Sequence, residues 1–109
     1  MALTKEAQQA WLAQGVEEVI DPGREIIDPH HHMWRSSGLP VYLLEDLWSD
    51  TQSGHNIVKT VFMECGAEYR IEGPEHLKSL GETEFVRDAA IESRNTGKAE
   101  IAGIISHAD

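Results

Sequence analysis

The segment Asp28-Pro29-His30-His31-His32 concentrates the chain's most reactive side chains. Residues two apart in an extended chain point to the same side, so Asp28, His30 and His32 share one side and His31 faces the other. Two imidazoles on one side of a strand's C-terminal end can grip one divalent metal. A carboxylate beside a ligating imidazole can orient it, a role open to Asp28. The competing reading is a solvated histidine loop, or incidental affinity of the kind an affinity tag has. Tags sit at termini, whereas this cluster directly follows Ile26-Ile27. Ligation by His30 and His32 is therefore the expectation, with a divalent metal, zinc first, as cofactor.

Other side chains are candidates for the walls of a substrate pocket. Glu64 ends a run of buried character, and a carboxylate there needs a polar partner. His107 follows the last strand and points at the same rim, where it could touch substrate, although a solvated residue is the favoured reading. Trp34 can floor a pocket or simply pack in a loop. Arg70 can bind a substrate carboxylate, with a surface salt bridge as the plainer role. Cys65 reads as a small buried hydrophobe rather than a nucleophile, because nothing in its surroundings lowers its pKa. His55 and His76 read as ordinary loop and helix-start residues. The chain has no Gly-x-Ser-x-Gly elbow, no phosphate-cradling glycine loop and no dinucleotide fingerprint.

The elements that must position these residues follow from periodicity. Residues 4–14 form a short helix with Thr4 as cap and Gly15 as terminator. Its stripe of Ala7, Ala10, Trp11 and Gln14 is narrow, so it should lie against something larger. Residues 16–24 connect, with a turn at Asp21-Pro22-Gly23. Residues 25–28 are a strand that Pro29 ends, and 30–40 a loop with Ser36-Ser37-Gly38 at its tip. A helix over 41–49 is marked by Leu43, Leu44, Leu47 and Trp48. The near-continuous apolar run 57–65 reads as a strand buried on both faces. One or two helical turns over 74–80 start at Pro74. An amphipathic helix over 82–93 turns Phe85, Val86, Ala89 and Ala90 inward and Glu84, Arg87, Asp88 and Glu92 outward. Residues 101–105 are a third strand.

Alternating strands and helices argue for parallel βα units. The expected organisation is residues 1–23 as an N-terminal helix and connector, then residues 24–109 as the N-terminal portion of a barrel. The fold class is α/β, read as the first three βα units of a (β/α)8 TIM barrel, which needs ~250 residues in all. On that reading the chain is truncated or completed by another polypeptide, its sheet edges are unsealed, and it is poorly stable alone. Barrel enzymes place their sites at the C-terminal ends of the strands, where the histidines lie.

Ile27-Asp28-Pro29-His30-His31-His32-Met33-Trp34 resembles the first-strand signature of the amidohydrolase superfamily. The similarity is to the amidohydrolase-related branch, which includes sugar-acid and pyrone-dicarboxylate lactonases and some decarboxylases. Tyr42-Leu43-Leu44-Glu45-Asp46-Leu47, Thr60-Val61-Phe62-Met63-Glu64-Cys65 and Ile101-Ala102-Gly103-Ile104-Ile105 fall where that branch has its helix, second strand and third strand. The resemblance implies a metal-dependent hydrolase of a small ester, lactone or amide. In it, His30 and His32 ligate the metal, and the metal polarises a carbonyl or lowers a water's pKa to ~7. The family's other ligands, further histidines and a late aspartate, come from later strands, so the 109-residue chain alone is expected to be inactive. Some lactonases of the branch need no metal, which is one alternative. A non-catalytic remnant or binding module is another.

Composition narrows the partners. The chain has 109 residues, with 19 acidic against 9 basic side chains and a formal net charge of −10. Such a surface argues against nucleic-acid and anionic-membrane partners but identifies no substrate; the resemblance implies a small-molecule substrate, with homo-oligomerisation of the complete protein open. One cysteine forbids an intrachain disulfide. Met1 to Ala10 has Lys5 but no apolar run behind it, so it is not expected to be a signal peptide, and no ~20-residue apolar run occurs in the sequence. The expected location is cytoplasmic.

Overall fold

A computed structural model of the chain describes residues 2–36 and 38–108. Ser37, in the expected loop tip, lies outside the described residues. Three helices, α1 (Lys5–Leu12), α2 (Leu44–Thr51) and α3 (Leu80–Ser93), alternate with three strands, β1 (Glu25–His31), β2 (Asn56–Met63) and β3 (Glu100–Ile105). A single 3-10 turn, Glu75–Leu77, precedes α3. The strands form one parallel sheet in the order β1-β2-β3. No helix among the described residues is long and apolar enough to cross a membrane.

The expected barrel is overturned. The sheet is open, with β1 and β3 as free edges, whereas a barrel has no edges. Alternation of strand and helix dictates parallel pairing, and nothing in it dictates closure. The described residues make a small α/β unit of three strands and three helices.

Helices α2 and α3 cover one face of the sheet. Leu44, Leu47 and Trp48 of α2 and Val86 and Ala90 of α3 meet Phe62, Ile101, Met33 and Ala99 in one core. Trp48 ties that core to the chain far away: its Nε1–H donates to the Ala99 carbonyl at 2.9 Å, and Lys98 Nζ lies 4.5 Å from its ring centre. The other sheet face stays open. Val61 and Met63 alternate with the fully buried Thr60 and Phe62 and are only half-buried, and Ile27 and Ile105 are 59% and 45% exposed. Strand β2 is thus buried on one face, not both. Helix α1 buries no residue and leaves Trp11 65% exposed, so its narrow stripe finds no partner among the described residues. Its cap is as expected, with Ala7 N–H donating to Thr4 Oγ1 at 3.1 Å.

Two boundaries move for local reasons. Strand β1 runs through Pro29 to His31, because the β1–β2 register skips between Asp28 and His31 and no ladder bond is asked of the proline. Helix α2 starts three residues later than periodicity suggests. Tyr42 is held in an antiparallel bridge with Trp34, and the Asp46 carboxylate accepts the Leu43 N–H at 2.9 Å, fixing the cap at Leu43.

Candidate metal centre

The three histidines divide as their alternation requires. His31 turns into the core, 8% exposed, with Nε2 3.0 Å from Thr60 Oγ1 and its ring edge-on to Phe62. Burial holds its imidazole below the ordinary value, which keeps it neutral. Its Nδ1 has no hydrogen-bond partner among the described residues. His31 is the anchor that fixes its two neighbours on the opposite side.

His30 and His32 meet there, with Nε2 of each 3.3 Å from Nε2 of the other and the rings at 88°. His32 Nδ1 lies 2.8 Å from the Met63 carbonyl oxygen at the end of β2. A carbonyl only accepts, so Nδ1 carries the proton and Nε2 presents a bare lone pair. That is the tautomer a ligating imidazole needs, with a backbone carbonyl as its outer partner. Two nitrogens each ~2.0–2.1 Å from one tetrahedral zinc lie roughly 3.3–3.4 Å apart. The observed spacing fits one shared divalent ion, and imidazole nitrogens suit zinc, copper, nickel or iron. No third His, Cys, Asp or Glu joins the pair among the described residues.

Asp28 does not touch either ring. Its Oδ1 accepts the His30 backbone N–H at 3.1 Å, so it shapes the turn of the chain rather than orienting an imidazole. Trp34 lies beside the pair, its ring centre 5.6 Å from that of His32. Glu64 and His107 are brought together at the same end of the sheet. His107 Nδ1 lies 3.3 Å from Glu64 Oε2, close enough for an ion pair but not aligned as a hydrogen bond. Arg70 is taken up by an exposed ion pair with Glu84, the plainer of its two expected roles. His55 and His76 are exposed.

The sequence reading missed Glu82. Assigned simply to the start of the third helix, it is in fact 2% exposed. Its Oε2 accepts the backbone N–H groups of Ala67 at 2.7 Å and Cys65 at 3.1 Å. The signal was present: Glu82, Val86, Ala90 and Ser93 share the buried stripe of α3. The Cys65 thiol lies 3.6 Å from the same oxygen, and burial together with that carboxylate pushes its pKa up, against a nucleophilic role.

Comparison of the chain with protein-family models, with curated proteins and with solved structures returns no match.

Proposed function

We propose that this chain supplies the two-histidine metal-binding element of a hydrolase acting on a small ester, lactone or amide. The observation that carries the reading is the His30–His32 pair, two imidazole nitrogens 3.3 Å apart, one with its tautomer set by the Met63 carbonyl. When bound, a divalent cation supplies Lewis acidity, polarising a carbonyl or acidifying water. His30 and His32 would hold it. His31, buried against Thr60, keeps the segment from turning over. Trp34 walls one side of the pair. Glu64 and His107 stand together at the same end of the sheet, His107 Nδ1 3.3 Å from Glu64 Oε2. The hydrolytic assignment leans on the resemblance of residues 27–34 to the amidohydrolase signature.

The test has two parts. Zinc binding to the chain, measured by competition with a chromophoric chelator, is expected to be saturable at one ion and lost in His30→Ala and His32→Ala. Hydrolysis of an aryl ester and a γ-lactone is then assayed. The chain alone is expected to bind metal without turnover, since the pair offers only two ligands. A protein carrying these residues with a complete ligand set is expected to turn over, and to stop in either alanine variant. Full rate after chelator treatment would replace this reading with a metal-independent lactonase. Turnover unchanged by the substitutions would remove the site assignment.

A further inference from the structure

Glu82 is a carboxylate buried to 2% exposure; its Oε2 accepts two backbone amides and faces the Cys65 thiol, while its Oε1 has no hydrogen-bond partner among the described residues. Burying such a charge is costly unless strong hydrogen bonds replace its water. Bonds from backbone N–H to a carboxylate are about twice as strong as neutral ones. The position explains the need. The β1–β2 ladder ends at His31 and Phe62, so β1 offers no carbonyl to the amide of Cys65. Glu82 Oε2 takes that place, and takes the Ala67 amide as well. Gly81 lets α3 come this close: a Cβ there would lie 2.4 Å from the Glu68 carbonyl oxygen and 2.6 Å from the Arg70 nitrogen. The turn after β2 is therefore pinned to the first turn of α3.

Met63, the last residue of β2 and paired with Ile105 of β3, stands two residues before Cys65. Its carbonyl sets the His32 tautomer from 2.8 Å. We propose that Glu82 is a positioning residue of the histidine pair. It holds residues 65–67 so that the Met63 carbonyl stays under His32 Nδ1 and His32 Nε2 stays bare and aimed at His30. Its purpose rests on reading His30 and His32 as metal ligands; its geometry does not.

The experiment compares Glu82→Gln, which keeps a carbonyl acceptor, with Glu82→Asp, which keeps the charge but shortens its reach, and Glu82→Ala. In metal-free 15N-labelled protein at pH 8, two-bond 1H–15N spectra report the histidine tautomers. The wild type and the Gln variant are expected to show His32 with Nδ1 protonated, and to bind zinc within about threefold of each other. The Asp and Ala variants are expected to show mixed His32 tautomers and zinc dissociation constants raised ~10-fold, the low end for an outer-sphere partner. If Glu82→Ala does not fold, the Asp variant carries the comparison. A folded Asp or Ala variant with unchanged His32 tautomer and zinc affinity overturns the proposal. So does a Gln variant that loses both as fully as Ala. A His32 tautomer that follows Glu82 in a protein that binds no zinc leaves the positioning role standing and removes the metal reading.

Discussion

Replacing Thr60 by Val tests whether His31 is the buried anchor of the histidine segment. Thr60 is fully buried and His31 is 8% exposed, and their side chains meet at 3.0 Å. Valine keeps the shape of threonine and deletes the hydroxyl. His31 Nδ1 already has no partner among the described residues, so the variant leaves both ring nitrogens unsatisfied. A buried polar group stripped of its partner costs about 1–3 kcal/mol. At roughly 4–8 °C per kcal/mol for a domain near this size, the melting temperature should fall by about 4 °C or more. Replacing both partners by apolar groups is nearly neutral by the same principle. His31→Phe retains an edge-on ring against Phe62, now 5.7 Å away, so Thr60→Val with His31→Phe should lie within about 1 kcal/mol of the wild type. Urea unfolding of the four proteins at pH 8 gives the cycle. Repeating it at lower pH adds a sign. Burial lowers the His31 pKa from 6.5, so the unfolded chain takes the proton first as pH falls. The stability from the neutral imidazole is complete above pH 6.5 and is lost as pH drops towards the folded value. The double variant should lose that component of the acid dependence. A Thr60→Val cost below about 0.5 kcal/mol, or a double variant as unstable as the sum of the singles, refutes the anchor.

Trp48→Phe removes the donor to the Ala99 carbonyl and should destabilise by about 1–3 kcal/mol, read from the urea midpoint at constant slope. Cys65 should react slowly with a thiol reagent at pH 8, because burial and Glu82 raise its pKa, and Glu82→Gln should speed the reaction. Arg70→Ala breaks an exposed ion pair with Glu84 and should cost under about 1 kcal/mol with no change in zinc affinity, checked by melting and titration.

Much of this architecture is legible in the chain. Ile26-Ile27 and the run from Ile57 to Met63 have strand character, and both become strands. The alternation of His30 and His32 against His31 puts the imidazoles on opposite sides, as observed, but the register skip after Asp28 places Asp28 on the His31 face rather than beside His30 and His32. What could not be read depends on long-range partners. Pro29 breaks a strand only where the ladder needs its N–H, and the register skip removes that need. Glu82 reads as a solvated helix start unless the two amides that converge on it are known. Closure into a barrel is set by edges meeting, which strand–helix alternation does not encode, and here β1 and β3 remain apart. The His32 tautomer depends on Met63, 31 residues away in the chain.

The central claim is that His30 and His32 jointly hold one divalent ion through Nε2. Zinc titration into 15N-histidine-labelled protein at pH 8 tests it most directly. The account predicts saturation at one ion per chain, with the Nε2 resonances of His30 and His32 shifting together while that of His31 stays in place. A failure to saturate, or shifts confined to His55, His76 and His107, would contradict it.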